Sequence, residues 1–473
     1  YCYRFRMRRP AGRSRRGRLG RLTAISDLGT FVTAPAADTP KTIRFAVSGD
    51  ADLQPDPLSG RPFYNDFEIY GLMARQRNDF NVNMGDTIYM DTEVPGAWPK
   101  VPDAITVPQK WSKYRLNLSS QNLQLLRRSG PVYNHWDDHE FVNDFTPFER
   151  EYTSGNATRG NEHKIVVDPG TIYRAGSRAF RDYMPVTFSR EDGIYRSVRW
   201  GKNVELFLLD ERSFKSAKAS ADHACDNPAT GEPDEAPTAE GTLARTEFGL
   251  LRAALRQPVS KRCLDTINDP RRTMLGRRQY DRFTQAIERS DATWKVILNE
   301  MAIQQFYLLP YEYWEGYAAE RRRLLEFLTR KVKNVVFLTT DIHANLVNDV
   351  RFCTVELRPG CPRNSGILEV TTGPVATMTY KREINDEVGG RVGPFFSAAV
   401  WSSVFKAPPP QGVGMRCAAM DVFSYAQVEA TSKTLTIDLR DDGKRVRDSP
   451  PTEGPTGGGL PGPPCGPYKL TAR

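Results

Sequence analysis

No stretch of this 473-residue chain is apolar over the length needed to span a bilayer, so the sequence reads as a soluble globular protein with no transmembrane segment. Zinc-type cysteine spacing is missing too, which argues against a thiolate zinc site and favours disulfides formed in an oxidising compartment, secreted or at the cell envelope. The seven cysteines suit that reading: Cys353 and Cys361 flank a Pro-Gly turn, Cys225 and Cys263 bracket a Pro/Glu/Ala-rich stretch, Cys417 and Cys465 remain as a third pair, and Cys2 is left over. Acids are absent before Asp27, whereas nine arginines fall between Arg4 and Arg21. Taking those nine from the 66 basic residues leaves 57 against 57 acids, so the net charge of +9 belongs to the N-terminal segment and the body is balanced. That distribution argues against a specific nucleic-acid partner. The arginines lack the following apolar stretch of a secretory or twin-arginine leader, and with Tyr1 in place of Met the chain is expected to start internally.

What the chain does contain is an alternation of strand-like and helical runs, which predicts an α/β layered core. Helices are expected over Asn65 to Arg77, Gln121 to Arg128 and Glu320 to Lys333. Residues 1–40 read as a last strand around Thr30 to Pro35 followed by a linker, and residues 41–473 as the main domain. Residues 216–275, rich in Pro, Gly and acids, read as a surface insertion around one helix at Thr246 to Arg256. After Thr371-Thr372-Gly373 loops are expected, then a late strand from Thr434 to Leu439.

Six strand-like runs each end in polar residues. Phe45 to Val47 leads to Asp50, Phe80 to Met84 to Asp86 and Tyr89, and Val132 to Trp136 to Asp137, Asp138 and His139. Val204 to Leu209 leads to Asp210 and Arg212, Trp294 to Leu298 to Asn299, and Val335 to Thr340 to Asp341 and His343. In layered α/β proteins ligands bind beyond the carboxyl ends of strands, so these side chains are candidates for one crevice. Each has an ordinary alternative: Asp138 and Asp341 can cap helices, and Tyr89 can be a packing residue. Their joint content points to metal chemistry, because hard and borderline cations take carboxylate oxygens and imidazole nitrogens. Of five histidines, His139 and His343 directly follow strand-end acids, while His135, His163 and His223 read as structural or surface residues.

Met84-Gly85-Asp86-Thr87-Ile88-Tyr89, Trp136-Asp137-Asp138-His139-Glu140, Leu209-Asp210-Glu211-Arg212 and Thr340-Asp341-Ile342-His343 resemble, in order, the signature blocks of the PhoD-like alkaline phosphatases. Leu275 to Gln279, Ser290 to Val296 and Trp314 to Tyr317 match as well. The resemblance implies a metallophosphoesterase core of two sheets flanked by helices, preceded by the remnant of a small β-sandwich in an N-terminally truncated member. It implies iron and calcium, with Asp86 bridging metals, Tyr89 and His343 on the iron, and Asp138 or Asp137 together with Asp341 on calcium. It further places Arg212 on the phosphate and Asn299 as an added ligand, and His139 is expected to orient a ligand or assist the leaving group.

The sequence departs from that family at the first block, which usually carries a thiolate ligand. Here it reads Ser48-Gly49-Asp50-Ala51-Asp52, so Asp50, or Asp52, is the available replacement, and manganese, zinc or calcium becomes possible at that position. The expected reaction is hydrolysis of a small phosphate mono- or diester by a metal-activated hydroxide. Two other classes remain open: a carboxylate-pair glycosidase, which a chelator would spare, and a non-catalytic polyanion-binding homologue.

Overall fold

The computed structural model describes residues 1–8, 22–154, 163–221, 223–227, 259–306, 312–352, 363–388, 393–409, 411–441, 444–448 and 462–473. Four short strands come first: β1 (Cys2–Tyr3), β2 (Arg6–Arg8), β3 (Leu22–Ile25) and β4 (Gly29–Thr30), pairing as β1 with β4 and β2 with β3. The strand expected through Pro35 stops at Thr30.

The core strands are β5 (Ile43–Ser48), β6 (Phe80–Met84) and β7 (Val132–His135), then, after a small ribbon of β8 (Glu151–Ser154) and β9 (His163–Val166), β10 (Arg196–Trp200), β11 (Val204–Leu208), β12 (Trp294–Asn299) and β13 (Val335–Thr339). They are followed by β14 (Asn345–Arg351), β15 (Asn364–Thr371), β16 (Cys417–Ala419), β17 (Tyr425–Ala430), β18 (Thr434–Asp441), β19 (Lys444–Arg445) and β20 (Tyr468–Thr471). One sheet runs β10-β11-β12-β13-β15-β14-β16; the other runs β19-β18-β17-β5-β6-β7, with β20 also on β18. Within each sheet the neighbours that matter are parallel: β11, β12 and β13 in the first, β5, β6 and β7 in the second.

Period-2 alternation explains the layering. Leu206, Leu208, Val296, Leu298, Val336 and Leu338 of one sheet meet Phe45, Val47, Phe80, Val82 and Met84 of the other in a single apolar cluster, so the sheets pack face to face. The intervening Phe207, Ile297 and Phe337 point the other way, onto Phe283 and Ile287 of the helix Gly276–Arg289 and Leu324, Leu325 and Leu328 of the helix Ala318–Lys331. Ala46 likewise faces Ile69, Tyr70 and Met73 of the helix Glu68–Arg75. Two sheets covered outside by helices are the expected α/β core, and cover on both faces is why β6, β12 and β13 are buried along their whole length.

Several local expectations change. The first helix begins at Glu68 rather than Asn65, because the Asn65 side chain accepts the Phe67 N–H at 2.7 Å in a turn and Phe67 itself has φ 57°. The segment after Gly373 is far from loop: it holds the helices Tyr380–Val388 and Gly393–Ala399, a π-helix Val400–Lys406, and strands β16 and β17. The helix expected at 246–256 lies outside the described residues, as do Cys353 and Cys361. Cys225–Cys263 and Cys417–Cys465 are disulfide-bonded, and Cys2 is a free, exposed thiol. Among the described residues no helix is long and apolar enough to cross a membrane.

Candidate metal centre

The six parallel strands all end on the same side, and their following loops knit together. Gly49 and Gly85 permit the close approach: a Cβ on Gly49 would sit 2.8 Å from the Thr340 methyl, and one on Gly85, which has φ 119°, would sit 2.5 Å from the Asp137 Cβ. Thr340 donates its hydroxyl to the Met84 carbonyl at 3.1 Å, and Ala51 donates its N–H to the Asp86 carbonyl at 3.0 Å. Glu140 fastens two loops at once, accepting from the Thr87 N–H at 2.6 Å and the Asp137 N–H at 2.7 Å. Asp50, Asp86, Asp341 and His343 all adopt left-handed backbone, with φ of 62°, 49°, 70° and 55°. Non-glycine residues bear that cost where surrounding structure holds them, and such outliers concentrate at functional sites.

These loops bring together three groups linked through Asp86 and Asp138, and a fourth, of Glu93, His343 and Glu383, shares His343. Ligand atoms of Asp50, Asp86 and His343 lie within 4.8 Å of one another, as do those of Asp86, Asp138 and His139, and those of Asp137, Asp138 and Asp341. Asp86 is common to the first two groups and Asp138 to the last two. Tyr89 joins them through its hydroxyl, 2.9 Å from His343 Nε2, and its ring stacks on His139 at 4.0 Å. Asp50 rather than Asp52 enters the centre. The Asp52 carboxylate is used by the Thr92 hydroxyl and the Gln54 N–H.

Burial is the dominant electrostatic fact. It pushes Asp86, Asp137 and Asp341 well above the carboxylate range, with neighbouring acids adding to the effect, and raises Asp50 to about 6. Burial opposes charge on Asp138 too, but Arg212 and His139 outweigh it and lower its pKa. For His343 burial works against protonation, yet Glu383 overrides it and lifts the ring to about 10. One oxygen each of Asp50, Asp137, Asp138 and Asp341 is buried without a hydrogen-bond partner. Orphaned carboxylate oxygens gathered this closely fit the donor set of hard cations.

The strand-end candidates differ in what surrounds them. Arg212 is fully enclosed and ion-paired with Asp137, Asp138, Asp341 and Glu312, so its guanidinium balances the acid cluster. Asn299 stands at its strand end, but its amide donates to the Met301 carbonyl at 2.5 Å and accepts from Thr339. Asp138 caps no helix, since residues 138–142 form a single turn and its carboxylate accepts from the Asp144 N–H; Asp341 caps none either, because His343 leads into β14. His135 is buried against Glu300 at 3.0 Å, as a structural histidine would be. Unforeseen neighbours are Asp91, 2.6 Å from His139 Nδ1, and Glu93 and Glu383, which gather around His343. Asp91 lies only five residues past Asp86 and was discoverable there; Glu383 had no such signal.

The sequence profile of the PhoD-like phosphatases matches residues 58–439. The chain belongs to that family. Alkaline phosphatase D of Bacillus subtilis (strain 168) is 22% identical over 305 residues, covering 60% of this chain and 44% of that protein, so the chain spans less than half the length of that relative. The solved structure of PhoD superposes with a TM-score of 0.62 at 17% identity, over 96% of this chain and 73% of that one, which identifies the fold. A purple acid phosphatase, PPD1 of yellow lupin seeds, matches at a TM-score of 0.46 and 12% identity over 90% of this chain and 56% of that one. Of the two acids expected to stand in for the missing thiolate of the first block, Asp50 is the one whose loop brings its carboxylate to Asp86 and His343.

Proposed function

We propose that this protein hydrolyses phosphate esters at a centre that holds more than one metal ion. The observation that carries the reading is the sharing of Asp86 and Asp138 among three ligand groups whose carboxylate oxygens include buried, unpartnered atoms. Asp50, Asp86, Tyr89 and His343 would hold one cation, with Asp86 bridging to a second position built from Asp137, Asp138 and Asp341. When bound, such ions lower the pKa of water toward neutrality and neutralise phosphoryl oxygens. Family membership favours iron and calcium, while an oxygen ligand at Asp50 in place of sulfur favours manganese, zinc or calcium at the first position.

The protein's own residues set the stage for this chemistry. Arg212 offsets the repulsion among Asp137, Asp138 and Asp341, and His139, stacked on Tyr89 with its backbone N–H donated to Asp86, would hold a proton near a leaving group. The two disulfides support an oxidising, extracytoplasmic setting. Strands β1 to β4 pair only with one another among the described residues, in keeping with residues 1–40 as a separate remnant, and that remnant is docked on the main domain through Tyr3 and Thr30 on the Arg127 and Ser129 carbonyls and Gly201 on the Pro35 carbonyl. The test is turnover of an aryl phosphate monoester and an aryl phosphodiester before and after chelation. Hydrolysis of at least one, abolished by chelator and restored by added metal, is expected; chelator-resistant activity on a glycoside, or polyanion binding without turnover, would replace this reading.

A further inference from the structure

His343 is gripped from one side by a single helical turn. The helix Tyr380–Val388 donates the Tyr380 N–H to the His343 carbonyl at 3.1 Å and lays the Glu383 carboxylate against His343 Nδ1. The turn is itself anchored: Thr379 accepts the Glu383 N–H at 3.0 Å through its carbonyl, and its hydroxyl donates to Asp421 at 2.6 Å. His343 sits in left-handed backbone with φ 55°, so its ring direction depends on these outside contacts. On the far side of the ring, Nε2 lies 2.9 Å from the Tyr89 hydroxyl.

We infer that Glu383 is a positioning residue, which holds the proton of His343 on Nδ1 and thereby presents Nε2 as the lone-pair nitrogen for the cation shared with Asp50 and Asp86. The inference rests on the metal-centre reading. An imidazole ligates only through a nitrogen that bears no proton, and an acceptor at one ring nitrogen keeps the proton there and leaves the other free to ligate. A carboxylate at Nδ1 makes that choice and raises the basicity of Nε2. The same device recurs in this centre, where Asp91 meets His139 Nδ1 at 2.6 Å while also accepting the Asn143 N–H at 2.9 Å. Glu383 belongs to none of the three groups built around Asp86 and Asp138, and among the described residues it meets that centre only through His343.

The test compares wild type, Glu383→Ala and Glu383→Gln. Manganese(II) affinity is measured by competition with a chromophoric chelator, and ring protonation by nitrogen spectra of the protein labelled with ¹⁵N-histidine. Glutamine keeps an oxygen that can accept from Nδ1 and is nearly isosteric, so it guards against loss of fold. The expected result is a manganese affinity about 10- to 100-fold weaker in Glu383→Ala, largely recovered in Glu383→Gln, with the His343 resonances losing their Nδ1-protonated signature only in the alanine variant. Unchanged affinity in Glu383→Ala, or equal loss in both variants, overturns this inference alone. A wild type that binds no manganese, calcium, zinc or iron overturns the metal-centre reading, and the inference with it.

Discussion

At the scale of single residues, the acids and histidines that end strands were legible because each follows a buried apolar run, and the structure gathers nearly all of them. What the sequence hid were partners contributed from elsewhere. Glu383 lies on a helix forty residues beyond His343 with nothing in its own neighbourhood to mark it, and the enclosure of Arg212 depends on Glu312, a hundred residues away. Lys110 is a similar case: it is fully buried on the helix Val107–Asn117, donating to the Phe141 carbonyl at 2.9 Å, and burial lowers its pKa to about 7. Below pH 7 both folded and unfolded chains carry that proton, so the burial cost is felt in full. Between pH 7 and about 10.5 only the unfolded chain keeps it, so this residue makes stability rise with pH across that window. Chemical denaturation of wild type and Lys110→Met at pH 6 and pH 10 is therefore expected to shift the difference in the wild type's favour at the higher pH. A constant difference would count against a depressed Lys110.

At the scale of elements, the six parallel strands and their apolar alternation were readable, since period-2 burial is a local property. The loops that follow them were not, because their left-handed residues are stabilised by contacts between sheets rather than by neighbours in the chain. Gly85 shows the dependence most plainly. Gly85→Ala forces a side chain onto φ 119° and into the Asp137 Cβ, and is expected to cost about 1–3 kcal/mol while displacing Asp137 from Asp138 and Asp341. Urea unfolding together with calcium binding measures both effects. The strands after Gly373 differ from the loops expected there for a related reason: β16 is only three residues long, and β16 and β17 are held by pairing with β14 and β5, which are distant in the chain.

At the scale of the molecule, two face-to-face sheets bring distant chain segments to one edge, and the resemblance in ordered blocks anticipated that arrangement. Covalent ties support it. Cys417–Cys465 joins β16 to the C-terminal segment across 48 residues, and replacing both by serine is expected to lower unfolding free energy by about 2–4 kcal/mol in a denaturant titration. The gathered, partly unpartnered carboxylates make the folded state depend on counter-charge, so added cation raises the melting temperature and chelation lowers it, as differential scanning calorimetry will record. The most direct measurement is elemental analysis of purified wild type beside Asp86→Asn, each scored for aryl phosphate turnover. Because Asp86 is shared by two of the ligand groups, more than one bound metal per chain is predicted in wild type, with metal content and turnover falling together in the variant. An Asp86→Asn protein with full metal content and undiminished turnover would contradict the shared centre.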